Sequence, residues 1–291
     1  MPAALSVVEP PKRPCLPPPL KWAGGKRWLV PRLRHFVDAF PAHRLVEPFC
    51  GGLSVSLGLA PGRALLGDAN PHVVNFYRWL QRGLKIEIPM KNDATCYYAH
   101  RDWFNHLARE GDTASRESAE LFYYLNRTGF NGLCRFNQSG EFNVPFGRYR
   151  SIPYRRDLTG YREALAGWEF AAGDFEEMTL SSDDLIYADP PYAGVFGTYT
   201  QRRFLEVDQI RLAQWLAAHE GPVVASNADA EGIDDLYRSL GFALLRLTGP
   251  RRISCTGDRE PAHEILAYRN PERGCVIPEA VLVSMMEDGD L

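Results

Sequence analysis

The chain has 291 residues, a formal net charge of −3, and a composition that is 45% hydrophobic and 24% charged. This length suits one large domain, or a core domain that carries a smaller insertion. No run approaches the ~20 consecutive apolar residues of a membrane helix, and the N-terminus has no charged-then-apolar leader, so we expect no membrane partner and a cytoplasmic location. The six cysteines are scattered, without a Cys-x-x-Cys pair or a histidine cluster. We therefore expect neither a metal site nor a disulfide framework.

The two ends of the chain differ in composition from its middle. Residues 1–19 contain seven prolines and no helical or strand period, which predicts a disordered tail. Residues 271–291 also lack a clear period and form an acidic tail, with four acids and no base from residue 279 onward. In the middle, residues 123–156 hold six arginines against one glutamate. Such local asymmetry is typical of an electrostatic footprint on nucleic acid.

Between the tails, an α/β core is interrupted by an insertion. Short aliphatic runs alternate with helical periods in residues 20–71 and 161–270, and this alternation predicts the core. The predicted strands are 45–46, 64–66, 185–188 and 223–225, and the clearest helices are 207–218 and 233–240. Two closing strands, 242–247 and 264–268, are joined by a loop too short for a crossover helix, which predicts a C-terminal antiparallel hairpin on a mostly parallel sheet. Residues 72–160, rich in aromatics at helical spacing, predict a mainly helical insertion.

Polar motifs lie close to the first two predicted strands. Glu47-Pro48-Phe49-Cys50-Gly51-Gly52 follows the first strand, where glycines allow a ligand to approach the backbone. Asp68 ends the second strand, at a place where an acid can accept the ribose hydroxyls of a nucleoside; the alternative is an Asp that caps the next helix. Lys21-Trp22-Ala23-Gly24-Gly25-Lys26 lies upstream without P-loop spacing, and alone it is more typical of a helix start.

The end of the predicted insertion combines side chains that can read bases. Arginine, asparagine, aromatic rings and turn glycines interleave in residues 125–149. Arginine can bond a guanine edge, asparagine an adenine edge, and an aromatic ring can enter a base stack. A solvated, arginine-rich hairpin is the alternative interpretation. We expect four exposed phenylalanines here, and such exposure favours a binding partner; they are Phe130, Phe136, Phe142 and Phe146.

The most informative stretch is Asp189-Pro190-Pro191-Tyr192, which directly follows the predicted strand 185–188. Ligands of open α/β sheets bind at the carboxyl ends of the strands. An acid and a rigid backbone carbonyl can both accept hydrogen bonds from one exocyclic amine, and a tyrosine can stack on the ring that carries it. By itself, the tetrapeptide could equally be a turn that ends the strand. The other motifs favour a site that methylates a planar amino group.

Taken together and in this order, these motifs resemble the DNA adenine-N6 methyltransferase family of the Dam type, the D12 or alpha class of amino-methyltransferases. The resemblance covers roughly residues 20–270 and rests on four separate signatures. It implies a Rossmann-like, S-adenosylmethionine-dependent methyltransferase core with a target-recognition domain inserted at 72–160. It also implies S-adenosylmethionine as methyl donor, double-stranded DNA as partner and no obligate protein partner, in a bacterial nucleoid or a phage-infected cell.

The resemblance implies a role for each matching residue. Asp189, Pro190 and Tyr192 would form the catalytic site, where the acid and the Pro190 carbonyl hold the adenine amine and the ring stacks on the base. The implied donor site consists of Trp22, Lys26, Glu47, Gly51, Gly52, Asp68, Asp174, Phe175 and Asp189. The residues implied to read DNA or hold it open, usually at GATC, are Lys21, Phe130, Asn131, Leu133, Arg135, Asn137 and Pro145, with Arg148 on a phosphate.

This chain departs from the family pattern at three places. Leu53 stands where many members have a third glycine, and Phe130 stands where many have tyrosine, so a wedge could form but a hydroxyl contact could not. The loop Ala193 to Thr200 has no family match, and we expect it to fold over an extruded base. Three other functions stay open: an inactive DNA-binding protein on this fold, a methyltransferase of RNA or protein amides, and, with the weakest support, a nicotinamide oxidoreductase. A role in restriction-modification stays equally open.

Overall fold

The computed structural model describes residues 16–40, 42–192, 204–230, 232–249, 262–273 and 277–287. Its strands are β1 (Leu45–Glu47), β2 (Ala64–Asp68), β3 (Trp168–Ala172), β4 (Leu185–Ala188), β5 (Val223–Ala228), β6 (Ala243–Gly249) and β7 (Ala262–Arg269). They form one sheet in the order β3-β2-β1-β4-β5-β7-β6. This mostly parallel sheet, with helices around it, confirms the predicted Rossmann-like fold.

The strand pairing confirms the predicted parallel sheet and C-terminal hairpin. β1 pairs in parallel with β2 and with β4, β2 with β3, and β4 with β5. β7 is antiparallel to both β5 and β6. The last strand thus inserts between its two neighbours, and this order places Glu264 of β7 beside β5. From β1 the chain passes to β2 and β3 on one side, and from β3 it returns to β4 on the other side of β1. The sheet therefore has a switch point at β1, where ligands bind in such folds.

The helices are α1 (Val30–Ala39), α2 (Ser56–Leu59), α3 (Pro71–Gln81), α4 (Ala94–Arg109), α5 (Arg116–Thr128), α6 (Tyr161–Ala164), α7 (Glu206–Ala218), α8 (Ile233–Ser239) and α9 (Glu279–Glu287). The predicted helices 207–218 and 233–240 correspond to α7 and α8. Across the described ranges, no helix has the length and apolar character needed to span a membrane.

Each face of the sheet supports one hydrophobic cluster because successive side chains of a strand point to opposite sides. In β4, Leu185 and Tyr187 join a large cluster that extends into the insertion, whereas Ile186 and Ala188 join a second cluster beneath α7 and α8. Burial on both faces explains why these strands read as continuous apolar runs. β4 is buried at all four positions, and its last residue directly precedes Asp189.

The insertion is built on α4 and α5, and α3 links it to the sheet. α3 contacts β2 and β3 on one side and α5 on the other. One continuous hydrophobic cluster therefore includes residues of both regions, and the predicted domain limits at 71 and 161 stay predictions. The expectation of four exposed phenylalanines is wrong. Phe136 and Phe142 are buried, Phe146 is half-buried, and Phe130 alone of the four is exposed, at 45%.

The buried phenylalanines are explained by aromatic packing inside the insertion. Phe136 stacks on His72 of α3 with ring centroids 5.4 Å apart, and it meets Phe142 edge to face at 5.5 Å. Such pairs stabilise a small aromatic core beyond the area they bury. The argument that exposed rings demand a partner therefore rests on Phe130 alone.

The ends of the chain are described in part. Residues 1–15 and 288–291, and the loop Ala193 to Thr200, lie outside the described residues, so the expectations for them stay predictions. Within the region predicted as an acidic tail, α9 packs against α1 and its Val281 is fully buried. The sequence shows no period that predicts this helix.

Candidate active site

Carboxylates gather at the carboxyl edge of the sheet, around its switch point. Glu47 ends β1 and Asp68 ends β2, while Asp189 directly follows β4. Because β1 lies between β2 and β4, the three acids stand at adjacent strand ends. The structure therefore brings together the acids of three motifs that lie far apart in the sequence. This edge is where ligands of open parallel sheets bind.

Asp189 is held by partners from two other elements. The Ser226 hydroxyl of β5 donates to its Oδ1 at 2.8 Å, and the Lys26 Nζ lies 3.3 Å from the same oxygen. Lys26 is buried and also lies 3.5 Å from the Oε1 of Glu264 on β7. A buried ammonium between two carboxylates offsets part of their mutual repulsion. The carboxylate of Asp189 is thus ordered before any ligand arrives.

Tyr192, the aromatic ring of the Asp-Pro-Pro-Tyr motif, is fixed at both its hydroxyl and its face. Its hydroxyl donates to the Oε2 of Glu264 at 2.9 Å. The Lys26 Nζ lies 4.5 Å from its ring centroid, within range of a cation–π contact. Burial, then the charges of Asp189 and Glu264, raise the pKa of Tyr192 well above its usual value, so its hydroxyl stays protonated. The ring borders the same edge as Asp189.

The glycine turn after β1 seats the indole of Trp22. A Cβ at Gly51 would lie 2.5 Å from the Trp22 Nε1, and one at Gly52 would lie 2.7 Å from the Trp22 Cβ. Gly51 donates from its backbone N–H to the Oδ2 of Asp68 at 3.2 Å. These contacts join the two predicted donor motifs, and they need the close approach that glycine permits.

Leu53 has a left-handed backbone, with φ 57°, at the position where the family pattern often has glycine. This conformation costs an L-residue about 1–2 kcal/mol. The side chain is completely buried, so its burial in the core offsets that cost. The glycine turn keeps its shape with leucine at its third position.

Three carboxyl groups of this edge, those of Glu47, Asp68 and Glu264, have raised pKa values because they are removed from water. Burial raises the pKa of Glu47 to about 8, with a smaller contribution from the charge of Asp189, while a hydrogen bond from Ser56 opposes the shift. Burial also raises the pKa of Asp68 to about 6, although backbone N–H groups of Asn70 and Gly51 donate to it. Perturbed carboxyl groups at a ligand edge are typical of functional sites.

Asp174 and Phe175 lie beyond β3, at the neighbouring strand end. Asp174 accepts from the Arg211 guanidinium of α7 at 2.8 Å, and Arg211 also covers the ring of Phe175 at 4.6 Å. Phe175 is buried and meets Phe49 of the glycine turn with centroids 5.8 Å apart. The structure thus connects this predicted donor contact to the turn after β1. Asp174 already has a cationic partner within the protein.

A second group of predicted site residues lies at the end of α5. The backbone N–H of Lys21 donates to the side chain of Asn126 at 2.8 Å, and the Lys21 Nζ donates to the carbonyl of Arg127 at 2.9 Å. The same Nζ lies 3.8 Å from the ring centroid of Tyr149. Burial and the charge of Arg127 lower the pKa of Lys21 to about 8. Lys21, next to Trp22 in sequence, therefore bridges the donor motif and the insertion.

Beside Lys21, Phe130 and Asn131 form an exposed point on the insertion. Asn131 has a left-handed backbone, with φ 52°, and the Phe130 backbone N–H donates to the carbonyl of Pro145 at 2.9 Å. A cavity of about 360 Å³ opens here, lined by Phe130, Asn131, Phe146, Gly147, Arg148 and Tyr149. The predicted residues Leu133 and Pro145 flank this point, half-buried and exposed respectively.

Arg135 and Asn137 lie on the hairpin that follows, residues 135–143. The Arg135 Nε donates to the Asn143 side chain at 2.7 Å, and the Asn137 Nδ2 donates to the Oε2 of Glu141 at 3.1 Å. Both side chains are half-buried and already have partners in the protein. On the helix side, Glu141 is paired with Arg109 of α4 at 2.6 Å.

Sequence patterns missed three polar residues that complete the catalytic edge: Ser226, Glu264 and Gln209. Each is buried, in an element predicted from its apolar period. The one available signal was a charged or amide side chain at a core position, because such groups are rarely buried without a partner. In the described part of the chain, no group of three or more His, Cys, Asp and Glu residues could hold a metal ion.

Comparison with known proteins gives one consistent result. Residues 22–253 match the family model of the D12 class N6 adenine-specific DNA methyltransferases. The chain is 34% identical over 263 residues to the retron Ec67 DNA adenine methylase of Escherichia coli, with coverage of 85% of this chain and 90% of the relative. It is 34% identical over 280 residues to the DNA adenine methylase of Escherichia coli K12, with coverage of 89% and 96%.

A third relative, the DNA adenine methylase of Vibrio cholerae serotype O1, is 37% identical over 275 residues, with coverage of 87% of this chain and 95% of the relative. Among solved structures, a Pyrococcus horikoshii protein that its title assigns provisionally to the RNA methyltransferases gives a TM-score of 0.42 at 10% identity, over 84% of this chain and 81% of that chain. The family model and the curated relatives agree with the acids and glycine turn at the sheet edge. The chain therefore belongs to the D12 class of N6 adenine-specific DNA methyltransferases.

Proposed function

We propose that this enzyme takes its methyl group from S-adenosylmethionine and transfers it to N6 of an adenine that is extruded from duplex DNA at GATC. The observation that carries the proposal is Asp189-Pro190-Pro191-Tyr192 at the end of β4, with Asp189 held by Ser226 and Lys26. An anionic acceptor, a backbone carbonyl and an aromatic ring at one sheet edge suit an exocyclic amine on a planar base.

The residues of the switch point fit the proposed donor. S-adenosylmethionine carries ribose hydroxyls, an adenine ring and a cationic sulfonium, and it supplies an activated methyl group. Asp68 accepts one backbone N–H at each carboxylate oxygen, which leaves each oxygen a second lone pair for a hydroxyl. The Trp22 indole, seated on Gly51 and Gly52, offers an apolar face beside it. Asp189 supplies negative charge at one neighbouring strand end, and Glu47, which its raised pKa keeps mostly protonated near neutral pH, supplies a polar carboxyl group at the other.

The protein's contribution to methyl transfer would be position and charge. Hydrogen bonds from the adenine amine to Asp189 and to the Pro190 carbonyl would draw the nitrogen lone pair out of conjugation with the ring and direct it away from both acceptors. Tyr192, fixed by Glu264, would stack on the extruded base. Preorganised acceptors of this kind act mainly by orientation and electrostatic stabilisation.

DNA would be bound by the insertion together with Lys21. The exposed Phe130 would enter the gap that the extruded base leaves, with Asn131 beside it. Arg135 and Asn137 would read base edges, and Leu133 and Pro145 would contact bases next to Lys21. Arg148, which is exposed, would neutralise a phosphate, so binding should weaken steeply with rising salt.

The test is methyl transfer from labelled S-adenosylmethionine to two duplexes that differ in whether they contain GATC or a scrambled site. We expect label on the N6 of adenine in the GATC duplex alone. Equal labelling of both duplexes would overturn the GATC assignment while keeping the chemistry. Label on neither duplex would overturn the proposed substrate, provided that donor binding is intact.

The proposed catalytic role of Asp189 can be tested separately with a variant. Asp189→Asn removes the anionic acceptor, and we expect turnover to fall by at least about 10²- to 10³-fold while DNA binding persists. Asp183→Asn is the matched control, because Asp183 is exposed and lies in the loop before β4. Wild-type turnover by Asp189→Asn would contradict the mechanism.

A further inference from the structure

The Asp189 carboxylate has an asymmetric set of partners. Both Ser226 and Lys26 contact Oδ1, at 2.8 and 3.3 Å. Among the described residues, Oδ2 has no hydrogen bond partner, and neither does the carbonyl of Pro190. Within the described part of the chain, one oxygen of the acid is thus occupied, whereas the second oxygen and the carbonyl, the two acceptors proposed for the adenine amine, accept no hydrogen bond.

The direction of the hydrogen bond between Ser226 and Asp189 follows from the protons that Ser226 and Tyr187 can donate. Ser226 has a single hydroxyl hydrogen, and the phenol of Tyr187 lies 3.0 Å from its oxygen. Burial raises the pKa of Tyr187 well above its usual value, so the phenol keeps its proton. With Tyr187 donating to the serine oxygen, the serine hydrogen goes to Asp189. The hydroxyl hydrogen of Ser226 therefore points toward the Oδ1 of Asp189.

A second buried chain of hydrogen bonds leads to Pro191, the residue that follows the other acceptor. The Gln209 Nε2 of α7 donates to the carbonyl of Pro191 at 2.8 Å. The Gln209 Oε1 accepts from Asn227 at 2.9 Å, and the Asn227 Oδ1 accepts from the Ala228 N–H at 2.9 Å. These bonds fix the orientation of both amides, so that the NH₂ of Gln209 must face Pro191. Gln209 and Asn227 are 2% and 1% exposed, so water cannot replace these partners.

The restraints on the backbone of Pro191 also orient the carbonyl of Pro190. The ring of Pro191 locks its own φ, and the hydrogen bond from Gln209 restrains its ψ. The peptide between Pro190 and Pro191 is then fixed relative to Tyr192. Adjacent residues of β5 thus restrain both acceptors: Ser226 bonds directly to the Asp189 carboxylate, and Asn227 holds Gln209, which bonds to Pro191, the residue after Pro190.

We infer that Ser226 and Gln209 are positioning residues of the methyl transfer, Ser226 for the Asp189 carboxylate and Gln209 for the Pro190 carbonyl. The inference rests on the proposed roles of Asp189 and Pro190. Residues of β5 and α7 would thus orient the two acceptors that lie at the end of β4.

The test compares Ser226→Ala and Gln209→Met with wild type under single-turnover conditions, with saturating donor and DNA. We expect a fall in rate of about 10- to 100-fold for Ser226→Ala, because its bond to Asp189 is charge-assisted. The neutral bond of Gln209 should be worth about 3- to 10-fold. Ser226→Thr, which retains the hydroxyl, should recover most of the rate. The Michaelis constants for donor and DNA should change less than about threefold, since the lost interaction acts on the reacting amine.

Two further measurements separate positioning from a general loss of structure. Replacement of the target adenine by 2-aminopurine gives a fluorescence rise when the base leaves the stack, and this base lacks the 6-amino group that the acceptors hold. The variants should keep that rise while losing rate, and their unfolding temperatures should fall no further than those of the control variants, which also lose hydrogen bonds. Matched controls are Ser239→Ala, at the exposed end of α8, and Gln81→Met, whose Nε2 donates to the carbonyls of Leu165 and Trp168.

The outcomes are distinct. Wild-type rates for Ser226→Ala and Gln209→Met would overturn the inference, and so would rate losses matched by a loss of fluorescence or by a fall in unfolding temperature beyond that of the controls. If wild type itself transfers no methyl group to adenine in either duplex, the proposed function fails instead. An inactive Asp189→Asn beside a fully active Ser226→Ala would overturn the positioning role alone.

Discussion

The proposed catalytic edge of the sheet and the proposed DNA-reading hairpin hold their side chains in different ways. At the edge, Asp189 is held by Ser226 and Lys26, which come from other elements and are almost completely buried. In the hairpin 135–143, the half-buried Arg135 and Asn137 are held by hairpin neighbours eight and four positions away across the turn: Asn143 lies opposite Arg135, and Glu141 opposite Asn137. The acceptors are therefore oriented by the core, whereas the reading side chains are oriented by their own loop.

This difference predicts that chemistry and recognition can be changed independently. The hairpin is anchored to α4 through Asn105, which exchanges two hydrogen bonds with the backbone of Phe142, and through the ion pair of Arg109 with Glu141. Neither anchor contacts the sheet edge. A substitution in the hairpin should thus alter which sequence is methylated while leaving the methyl-transfer step intact.

The largest expected effect is on recognition. Arg135→Lys keeps the charge but removes the planar donor pair that can bond a guanine edge, together with the bond to Asn143. We expect discrimination against a substitution at one base pair of the site to fall by about 5- to 150-fold. The measurement is kcat/KM on duplexes that carry each single base-pair change.

The matched control is Arg238→Lys on α8, which should keep the wild-type profile. A uniform loss on all duplexes, with discrimination retained, would show that Arg135 contacts the DNA backbone instead. That result would contradict the proposal that the hairpin reads bases.

An intermediate effect is expected on stability at the catalytic edge. The folded pKa of Glu47, about 8, lies above the usual 4.5, so the folded state binds more protons than the unfolded state between these values. Stability should therefore fall as pH rises through that window and level off above about 8. Glu47→Gln mimics the protonated acid and should remove on the order of 1–2 kcal/mol of this loss between about pH 6 and pH 9.

Denaturant unfolding of the donor-free protein at the two pH values measures this difference. Glu163→Gln, at an exposed position of α6, serves as the control and should follow wild type. Equal pH dependence in Glu47→Gln and wild type would show that the carboxyl group of Glu47 is ionised throughout the range.

The smallest expected effect concerns Lys21, which lies between the two regions. Its pKa of about 8 means that it loses its charge as pH rises through that value, and DNA favours the charged form. We expect DNA affinity to weaken by about three- to tenfold between about pH 7 and pH 9 beyond the change in Lys21→Met. Lys91→Met, at an exposed position of the insertion, should retain the wild-type pH dependence. The same slope in all three proteins would mean that Lys21 is not a DNA contact.

Much of the fold was predictable from the sequence because its signals are local. Buried strands such as 185–188 read as short apolar runs, and α7 and α8 show helical periods. The α9 helix has no such period, and the burial of Phe136 and Phe142 depends on aromatic contacts with α3 and α4. Residue propensity and spacing do not predict which aromatic side chain will be buried by contacts with another element.

The acids at the ends of β1, β2 and β4 could be predicted from the sequence, because each motif contains its own strand end, and parallel strands must present those ends at one edge. The partners of those acids could be seen only in the folded protein. β7 inserts beside β5 and brings Glu264 to Lys26 and Tyr192, while β5 brings Ser226 to Asp189. Strand order and side-chain partners depend on contacts between distant segments, and the local pattern of residues carries no record of them.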